Sequence, residues 1–330
     1  MSILTGKKIL LIAPYFFGYQ NHIRLELAQR GAIVDLLPDR PFSSTLMKAI
    51  IRFLPILIAP FSNHFYRQYF YQHSEQDYDY VFVIQGESIG PSVLKSMKSI
   101  YLNAYYIFYT WDSVSNKKAT LKKLKFFNSI FSFDRNDAAK YGFSYRPLFY
   151  INEKKHLTSQ ESKYLLSFVG TAHSGRYQMI KIIKRSLPKP SQTYFYLYLQ
   201  APWVYFFKKL TIPSFWSSSF GDFKFSPLAI ESVDEVLDQS FAVLDIEHPN
   251  QCGLTMRTFE VLSKGKKLIT TNQTIKLESF YSTDNVFIIQ RDAKIDFASD
   301  FFKTPFRPLP NYFYEKYSLS GWINDIFRIV

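Results

Sequence analysis

Short apolar runs alternate with amphipathic stretches along the chain. Residues 9–13 (ILLIA) form a continuous apolar run, the pattern of a strand buried on both faces. Ile23, Leu25, Leu27 and Ala28 then supply an apolar helix face, Gly31 stops that helix, and 33–37 (IVDLL) read as the next strand. This is a βαβ unit of the kind that opens a Rossmann-like domain. It lacks G-x-G-x-x-G, so a dinucleotide site is not supported. Strands follow at 80–85 (YVFVIQ), 105–110 (YYIFYT) and 129–133 (SIFSF), with a helix over 91–97. Such alternation predicts a parallel sheet covered on both faces, complete as one domain over 1–150.

The stretch 151–163 (INEKKHLTSQESK) is polar and aperiodic, and reads as a linker. The rhythm then restarts as a second Rossmann-like domain over 164–311. A strand, a glycine-containing loop and a helix lead to strands at 193–199 (TYFYLYL), 241–245 (FAVLD), 268–271 and 286–289, with a helix over 232–239. Residues 312–330 read as a terminal helix that packs back on the first domain.

Composition narrows the partners. Cys252 is the only cysteine, which excludes disulfides within the chain and Cys-based metal clusters. Neither a signal peptide nor a run of about 20 apolar residues is visible. A net charge of +13 attracts polyanions: phosphorylated substrates, anionic lipid or nucleic acid. With 33 Phe and 24 Tyr, the chain has the mix found on membrane surfaces and in single-strand nucleic-acid binders. No RNA or DNA motif is present, so no nucleic-acid partner is expected. Two stretches are candidates for lipid contact: 46–60 (LMKAIIRFLPILIAP), as core or as an interfacial segment, and the basic 117–127 (KKATLKKLKFF), as a solvated helix face or a lipid contact.

Candidate chemistry gathers where strands end, since open α/β sheets bind ligands beyond their carboxyl edges. In 169–180 (VGTAHSGRYQMI), Gly170 and Gly175 permit close backbone approach, Ser174 is placed to cap a helix, and Arg176 adds charge. In 252–260 (CGLTMRTFE), Gly253, Leu254 and Thr255 stand where a helix begins. The N–H groups of Leu254 and Thr255, with Arg257, suit a diphosphate, and Glu260 suits a ribose diol. The alternative is that Arg257 and Glu260, at i and i+3, pair with each other. A base for deprotonating an acceptor hydroxyl would come from His22, Glu87, Asp112 or Asp134, each also placed to serve as a cap or turn residue. Asp112 ranks first, because Trp111 beside it offers a sugar-stacking face. The six His are scattered, with no H-x-x-x-H spacing, so no metal is expected, and no cofactor is expected either.

The segment 253–272 (GLTMRTFEVLSKGKKLITTN) resembles the donor-binding helix and following strand of bacterial lipopolysaccharide and capsule glycosyltransferases, including the group similar to spore-coat CgeB proteins. Residues 9–41 (ILLIAPYFFGYQNHIRLELAQRGAIVDLLPDRP) and 108–113 (FYTWDS) are similar to the opening and mid-domain motifs of such proteins. The resemblance implies the GT-B architecture, two Rossmann-like domains facing across a cleft. It implies a nucleotide-sugar donor held by Gly170, Thr171, Gly253, Leu254, Thr255, Arg257 and Glu260. The acceptor, a lipid-linked sugar or an oligosaccharide, would lie against Tyr15, Gly18 and Trp111. The expected place is cytoplasmic, peripheral at the inner face of the cytoplasmic membrane. Retaining members often show Glu-x7-Glu, but the position eight before Glu260 is Cys252, so the stereochemical outcome stays open. The alternative readings are a non-catalytic nucleotide-sugar-binding or assembly protein on the same fold and, behind it, a nucleic-acid-binding protein.

Overall fold

The computed structural model of the chain describes residues 3–41, 55–151, 162–173, 175–187 and 192–329. The linker 151–163 and the apolar stretch 46–60 lie largely outside the described residues. The chain divides into one unit of Met1–Leu148, Asn250–Gly253 and Lys316–Val330, and another of Phe149–Pro249 and Leu254–Glu315.

The first unit holds strands β1 (Lys8–Ala13), β2 (Ile33–Pro38), β3 (Tyr80–Ile84), β4 (Tyr105–Thr110), β5 (Ser129–Ser132) and β6 (Ser144–Tyr145). They form one sheet in the order β2-β1-β3-β4-β5-β6. Every pairing is parallel, with Ile9 opposite Val34 on one side and Tyr80 on the other. Helices α1 (Tyr19–Gln29), α2 (Pro55–Gln72), α3 (Pro91–Ile100) and α4 (Arg135–Tyr141) connect the strands. The central strands are buried almost throughout, as parallel strands covered on both faces must be. One face of the sheet is covered by the C-terminal helix Leu319–Phe327, where Trp322 meets Tyr109 at 4.9 Å and Phe82 at 5.8 Å. Ser318 caps that helix through Gly321 N–H, so the terminal segment is two helices, Asn311–Tyr317 and Leu319–Phe327.

Two local expectations are corrected. In α1 the buried positions are Gln20, Ile23 and Leu27, while Leu25 and Ala28 are exposed. Positions two apart on a helix differ by about 200°, so Leu25 cannot share a face with Ile23. The basic stretch 117–127 is not a solvated helix face either. It folds as two 3-10 turns, Lys118–Lys122 and Leu124–Phe126, with Lys123 buried.

The second unit holds β7 (Tyr164–Thr171), α5 (Arg176–Ser186), β8 (Thr193–Tyr198), α6 (Pro202–Thr211), α7 (Pro213–Trp216), α8 (Ile230–Asp238), β9 (Ser240–Asp245), α9 (Met256–Ser263), β10 (Lys267–Thr270) and β11 (Val286–Ile288). Its strands lie parallel in the order β11-β10-β9-β7-β8, around a core that includes Leu166, Phe168, Leu244 and Ile269. Strand order reverses between β1 and β3 in the first sheet and between β7 and β9 in the second, the two places where such sheets open toward ligands. Among the described residues no helix is long and apolar enough to cross a membrane.

Candidate functional site

In the second unit, β9 fixes where α9 begins. Asp245, its last residue, accepts from the hydroxyls of Thr255 (2.7 Å) and Thr258 (3.0 Å) through one oxygen. The start of α9 is thereby tied to the strand end. Arg257 and Glu260 on the first turns are half-buried and pair at 3.0 Å. The i,i+3 pairing anticipated as the plainer alternative is therefore present. Leu254 is buried, and the Thr255 hydroxyl is spent on Asp245 rather than presented to a ligand.

The β7 loop is built differently from expectation. Arg176 turns back on the protein: Nε donates to Ile246 O (2.7 Å) and Nη1 to Thr171 O (3.2 Å), with His173 Nε2 at 3.2 Å. It ties the ends of β7 and β9 together, and burial holds its guanidinium below its ordinary pKa despite Asp245 and Glu247 nearby. Gly175 takes the left-handed conformation at the start of α5, with φ of 79°. Gly170 sits in ordinary strand, where a side chain would crowd the Phe168 ring. Ser174, the expected cap, lies outside the described residues.

Sequence reasoning gave no role to Glu247, which is buried at this same edge. It accepts from the Thr271 hydroxyl and from Arg291 Nη2 at 3.0 Å. Burial raises its carboxyl pKa, against the pull of the Thr271 hydrogen bond and the Arg291 charge. The signal was present in the D-I-E-H run after β9, an acid directly beyond a buried strand. Among the described residues, no group of three His, Cys, Asp or Glu side chains is placed to hold a metal ion.

In the first unit the four candidate bases differ sharply. Asp134 is buried and fully engaged. Oδ1 accepts from Asn136 N–H and Asp137 N–H to cap α4, and Oδ2 accepts from Ser113 Oγ (2.5 Å), Cys252 N–H (3.1 Å) and Gly253 N–H (3.3 Å). Gly253, which the resemblance places on the diphosphate-facing turn, thus gives its amide to Asp134. Gly253 itself is required because a Cβ there would overlap the Phe133 ring. Glu87 pairs with Lys117 (2.6 Å) and Arg40 (3.3 Å). Burial alone would raise its carboxyl pKa, but the Lys117 hydrogen bond and the Arg40 charge outweigh burial and hold it low. His22 stands on α1, half-buried, with no side-chain hydrogen bond among the described residues.

Asp112 is half-buried just past the end of β4. Its Oδ1 accepts from Ser113 N–H (2.9 Å) and Asn116 Nδ2 (2.8 Å), and no hydrogen bond from the described residues reaches Oδ2. Beside it Trp111 packs edge-on against Tyr19 at 6.0 Å, and its indole N–H is buried with no acceptor among the described residues. Gly18 starts α1 at φ of 73°, and Tyr15, Phe16 and Phe17 stand exposed on the loop before it.

Lys123 lies at the same carboxyl edge. Its Nζ donates to Gly86 O, and burial pushes its pKa from 10.5 down to about 8, partly opposed by Asp39 and Glu87. Between these two values the unfolded chain keeps the proton that the folded chain has released. Stability therefore rises with pH from about 8 to 10.5, by on the order of 3 kcal/mol in total. Wild type should gain over Lys123→Met in urea-unfolding free energy as pH rises from 8 to 10. Tyrosine ionisation is common to both chains and cancels in the difference. Parallel curves would remove the buried charge from the account.

No family model matches the sequence, and no curated protein is similar to it at a significant level. Solved structures do match. The chain is similar to a glycosyltransferase from Rickettsia africae ESF-5, with 12% identity and a TM-score of 0.50 over 98% of this chain and 92% of that one. It is also similar to HepE from Anabaena, solved in complex with UDP, with 11% identity and a TM-score of 0.50 over 97% of this chain and 94% of that one. At such identity the likeness defines the fold, which is that of GT-B glycosyltransferases: two α/β units, each built on a parallel sheet.

Proposed function

We propose that the chain is a GT-B-type glycosyltransferase that moves a sugar from a nucleotide-sugar donor to a lipid-linked or oligosaccharide acceptor. Its place would be surface polysaccharide assembly, of lipopolysaccharide or capsule, at the inner face of the cytoplasmic membrane. The observation that carries this reading is the β9–α9 junction. A helix start fixed by Asp245 bears Arg257 and Glu260, half-buried and close together, within a fold shared with nucleotide-sugar enzymes. On this reading Arg257 exchanges part of its pairing with Glu260 for the donor's diphosphate, and Glu260 turns to the ribose hydroxyls. In the first unit Asp112 serves as the base and the half-buried Trp111 offers a stacking face to the acceptor sugar. Helix N-terminal amides and Arg257 would stabilise the leaving diphosphate, with no metal required.

The test is a thermal-shift panel of nucleoside diphosphates, headed by UDP because the Anabaena neighbour binds it. One nucleotide should raise the melting temperature. A flat response across the panel would sink the donor assignment. With the active nucleotide in hand, Glu260→Ala should weaken binding about 10- to 100-fold, the worth of hydrogen bonds to a charged acceptor. Titration calorimetry returning wild-type affinity would make Arg257 and Glu260 a structural pair only.

A further inference from the structure

Helix α6 is apolar on two opposite sides. Tyr205 is buried in the second unit's core with Phe215 and Phe223, and Val204 and Ile212 pack against it. The other side carries Trp203, Phe206, Phe207 and Leu210, between 56% and 81% exposed. Their spacing, i, i+3, i+4 and i+7, is that of a core-facing stripe, yet it faces outward. Trp216 at the end of α7 and Phe220 just beyond are exposed as well, and the Phe206 and Phe220 rings stack at 5.9 Å. Single exposed apolar residues are ordinary. Six in one short segment, two of them Trp, form a patch.

The charge around this patch is mainly positive, although Asp222 stands in the same turn as Phe220. Residues 162–221 contain no Asp or Glu but eight Lys and Arg. Lys181 on α5 donates to Ser217 O (3.2 Å) and Oγ (2.9 Å), next to Trp216. Lys208 Nζ stands 5.2 Å from the Phe215 ring, and Lys209 donates to Ser218 O at 2.7 Å. Ammonium groups are thus interleaved with the aromatic rings.

We infer that this face, centred on α6, docks the protein on an anionic phospholipid bilayer. Trp, Phe and Leu enter the headgroup and upper acyl region, and the lysines meet lipid phosphates. Residues 162–221 bring no carboxylate to repel the lipid, and Asp222 at their edge is engaged by the Tyr177 hydroxyl and Ser219 N–H, both at 2.9 Å. A second copy of the chain fits the face poorly, because a two-fold contact would bring the same cations together. The inference deepens and rests on the membrane-facing part of the proposed function, but its test reads no nucleotide binding and no sugar transfer, so the two fail separately.

The test is sedimentation of the full chain with vesicles of phosphatidylcholine alone or mixed equally with phosphatidylglycerol. Binding to the anionic vesicles should exceed binding to the neutral ones. A Trp203→Ser, Phe207→Ser, Leu210→Ser variant should lose at least tenfold in binding while keeping the wild-type melting temperature, since all three side chains are exposed. Lipids brominated on the acyl chains should quench tryptophan emission, and Trp203→Phe with Trp216→Phe should abolish that quenching although Trp111 and Trp322 remain. Wild-type binding by the triple variant, quenching that survives the Trp changes, or no vesicle binding at all would overturn the inference. Self-association relieved by the triple variant, without vesicle binding, would assign the face to a second copy instead.

Discussion

Asp134→Ala should lower the stability of the first unit by about 3–5 kcal/mol, enough to unfold a marginal domain. The carboxylate accepts five hydrogen bonds: from Asn136, Asp137, Cys252 and Gly253 N–H and from the Ser113 hydroxyl. Loss of the helix cap alone costs about 1 kcal/mol. The Cys252 and Gly253 amides and the Ser113 hydroxyl would lose an acceptor in a place where Asp134 is 3% exposed. Each buried donor left alone costs about 1–3 kcal/mol, and water entering the gap returns part of the sum. Asp134→Asn should fall between the two, since its one remaining oxygen still caps α4 while its amide meets donors where the second oxygen stood. Urea midpoints followed by circular dichroism read both variants. An alanine variant within 1 kcal/mol of wild type would contradict the assignment. Lost turnover in Asp134 variants would then have to be read as chemistry, which the present geometry does not favour.

The fold was legible in the sequence where burial writes a plain pattern. Strands such as Lys8–Ala13 and Tyr105–Thr110 are covered on both faces and show as unbroken apolar runs. Helix α2 was not legible. The apolar pattern of 46–60 reads as core or interfacial segment, and 61–72 carries no assignment. Over 59–72 its buried positions are Ser62, Tyr66 and Phe70, a stripe at i, i+4 and i+8 that emerges only when a serine and a tyrosine count as core. Tyr66 tolerates burial because its hydroxyl donates to Pro38 O at 2.9 Å. The site shows the same limit. Arg176 at the start of a helix after a glycine loop reads as an anion grip, yet its long side chain folds back onto the carbonyls of Thr171 and Ile246. Those acceptors lie at the end of β7 and just past the end of β9, and nothing in the linear spacing of Arg176 and Ile246 announces their proximity. Asp112, Glu87 and Asp134 are likewise equivalent as letters at strand ends. They separate only once their partners are counted: two cations on Glu87, five donors on Asp134, and one oxygen of Asp112 that no described residue reaches.

That difference makes Asp112→Asn the most informative substitution for the proposed reaction. The change should cut the rate of sugar transfer by about 10²- to 10⁴-fold, the usual worth of a positioned general base. The fold should not register it. The asparagine oxygen still accepts from Ser113 N–H and Asn116 Nδ2, so the turn after β4 keeps its two hydrogen bonds. What is lost is the basic second oxygen. Donor affinity should stay at the wild-type value, because the proposed donor groups, Arg257 and Glu260, stand on α9 in the other unit. The expected result is therefore a fall in kcat with unchanged melting temperature and unchanged nucleotide binding. Glu87→Gln should behave in the opposite way: it releases Lys117 and Arg40 from a carboxylate and should perturb stability more than chemistry. His22→Asn supplies the control among the candidate bases. If Asp112→Asn transfers sugar at the wild-type rate while His22→Asn does not, the base lies on α1 and not at the end of β4. The pH profile of kcat would then follow an imidazole rather than a carboxylate.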